Sequence, residues 1–344
     1  MRTEAPCRSS FVLTAALLLA APAAVADGPV VIAHRGASGY LPEHTLESKA
    51  LAHGLGADFL EQDVVLTRDG VPIVLHDLVL DELTDVASVF PGRARADGRF
   101  YAIDFTLEEI RRLRQHERRV PGTGGLRWPG RFDAPGVGFR IHTLAEELDF
   151  IAGLNRTSGR RAGIYPEIKE PAWHRAEGKD ITRAVLDVLA AAGYTRRGDP
   201  AYLQCFDPRE LERIRFELES DLTLVQLIGG AGDVPGVDFA AMQTAEGLDR
   251  VATYAQGIGP HLSHLASLDP GREPVSTGLV ARAHARGLVV HPYTFRLEQL
   301  AGLGLTADGL HRWLFDAEGA DGLFSDQPDV TRRWLDQRRA ATPR

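Results

Sequence analysis

The chain has 344 residues, 44% of them hydrophobic, and its 47 acidic against 39 basic side chains give a formal charge of −8. That length and apolar content support a large buried core, while negative charge spread without basic runs argues against nucleic acid as a partner. With only Cys7 and Cys205, and Cys7 in a removable leader, no disulfide framework is available.

Residues 1–26 read as a signal peptide. Arg2 and Arg8 precede an apolar stretch from Phe11 to Ala20, and Ala24-Val25-Ala26 supplies the small-x-small cleavage pattern before Asp27. The stretch is shorter than the roughly 20 residues needed to span a bilayer. Cys7 lies ahead of it, where a lipoprotein cysteine would follow it. The mature chain, residues 27–344, is therefore expected in the periplasm or the medium. No later segment has the length and apolarity of a membrane span.

Beyond the leader, apolar strand-like runs alternate with helical patterns. Strands are expected at 30–34, 58–66, 162–168, 201–206, 222–228, 256–260, 287–293 and 321–324. Between them, Thr143 with Glu146 and Asp207 with Pro208 and Glu210 read as capping boxes. Core faces follow at helical spacing, in Leu144, Leu148 and Ile151 and again in Leu211, Ile214 and Leu218. Gly193, Gly287 and Gly319 stand where helices should stop, and a last helix should run from about Pro328 through Trp334. Eight strand–helix units predict a (β/α)8 TIM barrel. An open doubly wound sheet is disfavoured by the lack of a glycine-rich dinucleotide loop. The rhythm breaks between His76 and His142, at about 79–140. There Phe90 to Phe105, a helix capped by Thr106 with Glu109, and a Gly/Pro-rich passage from Pro121 to Gly138 predict a small insertion subdomain over the barrel mouth.

Chemistry gathers at strand ends, the face on which barrels of this kind build their sites. His34 and Arg35 end the run Val30 to Ile32, Glu61 and Asp63 share one face of the next strand, and His76 closes the run Val71 to Leu75. Glu167 and Lys169 repeat the i, i+2 pattern, as an ion pair or as part of a polar site. Lys169 is one of only three lysines, with Lys49 and Lys179, in an arginine-using chain. Glu61, Asp63 and Glu167 form an all-oxygen trianionic set suited to a hard divalent cation, calcium first and magnesium second. Two strand-end histidines beside Arg35 suit the acid and base of a displacement at phosphorus. Cys205 reads as a small buried hydrophobe rather than a nucleophile. His44, His174, His261, His264 and His291 lie in segments with the reach to border the mouth, but nothing in their spacing gives them a role.

HRGASGYLPEHT (34–45), EQD (61–63), VLHD (74–77), PEIK (166–169), HPYT (291–294) and GLFSDQPD (322–329) together resemble the glycerophosphodiester phosphodiesterase family, in its exported bacterial form. The resemblance implies a (β/α)8 barrel, calcium on Glu61, Asp63 and Glu167, catalytic His34 and His76, and phosphate contacts from Arg35 and Lys169. It also implies that the insertion is the family's own small domain. Small glycerophosphodiesters are the expected substrates, and nothing bars assembly of identical copies. Many relatives carry Asn where His44 stands, and the stretch Gly229 to Gly247 is shorter and more glycine-rich than in exported relatives. Alternatives are a sphingomyelinase D-like or phosphoinositide-cleaving barrel, or a non-catalytic surface barrel that binds phosphorylated ligands.

Overall fold

A computed structural model describes residues 28–134, 136–267 and 274–341, so the expected signal peptide at 1–26 lies outside the described residues. The strands are β1 Val30–Ala33, β2 Phe59–Leu66, β3 Pro72–Val74, β4 Gly163–Ile168, β5 Tyr202–Cys205, β6 Thr223–Ile228, β7 Gly257–Pro260, β8 Ala266–Ser267, β9 Val275–Ser276, β10 Val289–Val290 and β11 Gly322–Ser325. Eight of them pair in parallel in the order β10-β7-β6-β5-β4-β2-β1-β11. Backbone bonds from Asp321 N to Val290 O and from Phe324 N to Pro292 O, each 3.0 Å, close the seam between β10 and β11. This is the expected barrel, and its strands fall on the eight predicted runs. The Val71–Leu75 run is different: β3 pairs antiparallel with β2, with Val64 opposite Val74, so His76 follows a hairpin strand rather than a barrel stave.

Alternation along each stave divides two environments. Outward residues such as Val31, Leu60, Ile164, Leu203 and Leu224 join the main core beneath the helices. Inward residues are apolar at the N-terminal end, where Val30, Ile32, Tyr165, Val225 and Phe324 cluster with Phe59 and Tyr202. Two residues further along the same faces stand His34, Glu61, Glu167 and Gln204, so the period of two puts charge directly above an aromatic floor. Gly163 makes room for that floor: a Cβ there would lie 2.4 Å from a Phe59 ring carbon.

The helix Leu144–Ser158 opens with the Thr143–Glu146 capping box. At the helix Pro208–Phe216 the cap is Asp207, accepting from Arg209 N, but the box does not form. Glu210 instead turns inward and takes Thr182 Oγ1 at 2.6 Å and Arg213 Nη1 at 2.7 Å, because a buried carboxylate keeps its charge more readily on a guanidinium than on one amide. The final helix runs further than expected, over Pro328–Ala341. Cys205 is buried, its thiol directed at the Ile168 carbonyl.

The segment after His76 packs as a second core against β2 and β3, with Leu80, Leu83, Val86, Phe100, Phe105, Ile110 and Leu113 buried together with Val65, Ile73 and Leu75. Thr106 and Glu109 close a capping box on the short helix Leu107–Ile110. No helix among the described residues is long and apolar enough to cross a membrane.

Candidate active site

All seven residues singled out from the sequence line one cavity at the C-terminal ends of the staves: His34, Arg35, Glu61, Asp63, His76, Glu167 and Lys169. Glu61, Asp63 and Glu167 are buried and place one carboxylate oxygen each within 4.8 Å of the others. Parallel register explains this, since Asp63 stands directly beside Glu167 across the β2–β4 ladder. The Arg35 amide donates to Glu61 Oε2 at 2.8 Å, from a left-handed backbone (φ 58) that turns the chain over the nest. Lys169 Nζ sits 2.8 Å from Glu167 Oε1 and 4.0 Å from Asp63 Oδ1.

Burial, and then the neighbouring Asp63, push the Glu61 carboxyl up to about 8, and burial drives Glu167 well above its ordinary range. Burial also opposes ionisation of Asp63, yet Lys169, His76 and His44 hold it well below. Three such groups ionise together only beside added positive charge. Asp63 Oδ1 and Gln204 Oε1 are buried and lack a hydrogen-bond partner. The donor set is all oxygen, three of them carboxylates, which fits a hard divalent cation.

Each histidine is held by an aspartate. His34 Nδ1 lies 2.6 Å from Asp326 Oδ1, and His76 Nδ1 lies 2.5 Å from Asp77 Oδ1. Desolvation and then Arg35 lower His34 to about 3 and His76 to about 4. His34 is nearly buried, whereas His76 is 30% exposed.

Several site residues were given no role from the sequence. His44, a residue without an assigned role, donates from Nε2 to Asp63 Oδ2 at 2.8 Å and is fully buried. Gln204 donates to Glu61 Oε1 at 3.0 Å. Asp326 lies just past the end of β11, where strand-end logic would have found it. Arg118 and Arg131 lie in the insertion, where no periodicity points to chemistry. Of the other mouth candidates, His261 lines the cavity, but His291 is buried in the floor with Nδ1 3.0 Å from Tyr165 Oη. His174 sits behind β2, with Nε2 accepting from Leu66 N.

The cavity, about 140 Å³, is walled by Phe206, Leu227, Tyr293 and Phe324. It opens into an outer groove of about 780 Å³ lined by Tyr101, Arg118, Arg127, Trp128 and Arg131 of the segment between His76 and His142. His34, Arg35, His76, Lys169 and Arg296 border both spaces. No residue from 229–247 lines either of them, although Gly229 backs onto the Phe206 ring of the cavity wall.

The model of the glycerophosphoryl diester phosphodiesterase family matches residues 34–330. A glycerophosphodiester phosphodiesterase of Haemophilus influenzae is 43% identical over 325 residues, covering 89% of each chain. One of Treponema pallidum is 39% identical, over 91% of this chain and 93% of its own. Among solved structures, one from Silicibacter pomeroyi assigned to the glycerophosphoryl diester phosphodiesterases superposes with a TM-score of 0.68 at 27% identity, over 91% of this chain and 95% of its own. A phosphodiesterase of Oleispira antarctica, solved with the product sn-glycerol-3-phosphate, shares the fold with a TM-score of 0.59 at 21% identity, over 90% and 97%. By the family model and these full-length relatives, the chain belongs to the glycerophosphoryl diester phosphodiesterase family and is an enzyme of that class.

Proposed function

We propose that this enzyme hydrolyses glycerophosphodiesters, such as deacylated phospholipid headgroups, to sn-glycerol 3-phosphate and an alcohol. The observation that carries this reading is the meeting of a small inner cavity and a wide outer groove at His34, Arg35, His76 and Lys169. A diester with its phosphorus at that junction has the glycerol half inside, against Phe206 and Tyr293, and the variable alcohol in the groove. The product held by the Oleispira antarctica protein supports the same product here.

Arg35 and Lys169 bind the phosphoryl oxygens and stabilise the charge that develops on them. Glu61, Asp63 and Glu167 would hold the cation, calcium by preference and magnesium second, because an exported site meets calcium. When bound, that ion supplies Lewis-acid stabilisation of the phosphoryl oxygens and balances the carboxylates. One histidine removes a proton from the nucleophile, and the other protonates the departing alcohol. The glycerol hydroxyl next to the esterified carbon is the proposed nucleophile, since an oriented internal attack gains an effective molarity of up to about 10⁵–10⁸ M. Water then opens the cyclic phosphate with the two histidines in exchanged roles. Export through the leader at 1–26 is part of the proposal and rests on the sequence alone.

The test is release of glycerol 3-phosphate from glycerophosphocholine, glycerophosphoethanolamine and glycerophosphoglycerol, with and without chelator. Release from all three, abolished by chelator and restored by calcium, is expected. No release from any of them, or full turnover in exhaustive chelator, would overturn it.

A further inference from the structure

The two histidines are held alike, and both supports originate in one segment of the insertion. On one side His34 Nδ1 meets Asp326 Oδ1 at 2.6 Å, while Asp326 Oδ2 takes Arg131 Nη2 at 2.5 Å and Arg296 Nε at 3.0 Å. On the other, His76 Nδ1 meets Asp77 Oδ1 at 2.5 Å, and Asp77 Oδ2 takes Arg118 Nη1 at 2.5 Å. Arg118 and Arg131 flank a hairpin in which Arg127 N donates to Arg118 O and Val120 N to Gly125 O.

We infer that residues 118–131 form a positioning strap, in which Arg118 and Arg131 clamp the two His–Asp pairs and so hold both imidazoles in the geometry that catalysis requires. The inference rests on the reading of His34 and His76 as the acid–base pair. An aspartate accepting from Nδ1–H fixes the tautomer and leaves Nε2 for the substrate. That works only while the aspartate stays ionised and its second oxygen is satisfied, since a buried carboxylate without a partner takes up a proton. A guanidinium supplies both conditions, with planar donors that fix the direction of the carboxylate.

Each arginine is itself anchored. Arg118 grips Glu43 through two parallel bonds of 2.8 and 3.0 Å, and Glu43 also takes Arg35 Nη1 at 3.0 Å. Arg131 spans to Glu298 Oε1 at 2.6 Å and the Ser38 carbonyl at 3.1 Å, and lies over the Trp128 ring at 5.3 Å. The strap thus bridges the mouth from the β3 side to the segment after β11. The two arms are unequal. Asp326 retains Arg296 when Arg131 is removed, whereas Arg118 is the only cation bonded to Asp77 among the described residues.

The experiment compares Arg118→Met, Arg131→Met and the corresponding Lys variants with the wild type, using glycerophosphocholine turnover and ¹⁵N-histidine NMR assigned through His34→Gln and His76→Gln. Arg118→Met should lower kcat by about 10- to 100-fold with KM changed less than about 3-fold, and Arg131→Met should lower it less. Lys should restore part of each loss. In the Met variants the affected imidazole should lose its Nδ1–H tautomer, a change that loss of packing alone would not produce. Unchanged kcat, or a kcat that falls only with the folded fraction while both tautomers persist, would overturn the strap. A wild type inactive on every glycerophosphodiester would instead defeat the parent reading, so the two failures are distinguishable.

Discussion

Replacing Glu147 by Gln tests the buried support behind β2, the strand that carries Glu61 and Asp63. Glu147 is fully buried, with Lys49 Nζ at 2.5 Å, His142 Nε2 at 2.5 Å and Gln62 Nε2 at 2.8 Å, and Lys49 Nζ also donates to the Glu61 carbonyl. Burial opposes its charge, but Lys49 and then His142 lower its pKa from 4.5 to about 2. A folded-state pKa below the unfolded value stabilises the fold above the unfolded pKa, and that stability is lost as pH falls through the folded pKa. At about 1.36 kcal/mol per pH unit, the interval from 4.5 to about 2 corresponds to roughly 3 kcal/mol at neutral pH. Breaking one partner of a buried ion pair costs about 3–5 kcal/mol in general, in agreement. Urea unfolding of wild type and Glu147→Gln from pH 7 to pH 2 reads this carboxylate with its bonded partners, because titrating groups that do not contact it cancel in the difference. The gap should be about 3 kcal/mol above pH 5 and shrink toward zero between about pH 4.5 and 2, where wild-type Glu147 becomes a neutral near-isostere of Gln. A gap that stays constant across that range would refute the linkage.

His34→Ala and His76→Ala should each lower kcat by about 10²- to 10⁴-fold while leaving the fold intact, and near-native kcat in either would return that histidine to a structural role. His44→Ala removes the only side chain that hydrogen-bonds Asp63 Oδ2 among the described residues. Calorimetry should show calcium affinity weakened by about 10- to 100-fold, and unchanged affinity would disconnect His44 from the nest. A diester analogue lacking the hydroxyl next to the esterified carbon should bind without being cleaved, whereas turnover comparable to glycerophosphocholine would assign the attack to water. Intact mass of protein recovered from the envelope or medium should give Asp27 as the first residue, and retention of Met1 to Ala26 would exclude the leader reading.

The sequence by itself determined what depends on local periodicity. Alternation in Phe59-Leu60-Glu61-Gln62-Asp63 and Ile164-Tyr165-Pro166-Glu167 sends every second residue inward, so the staves, the paired carboxylates and the strand-end histidines were legible before any contact was known. Caps at Thr106 and Thr143 were legible for the same reason, since their partners lie three residues away. Glu210 shows the limit: its spacing predicts a box, but packing offered it Thr182 and Arg213, and the buried charge went to them. The direction of β3, the attachment of His44 to Asp63, and the arginines on Asp77 and Asp326 were decided only by tertiary structure. Arg131 is far from Asp326 along the chain and meets it only because the closed barrel brings the last stave beside the first and folds the insertion across both. Local pattern specifies which residues face the barrel interior, whereas the partner of each buried charge is set by chain closure, which carries no signature at short range.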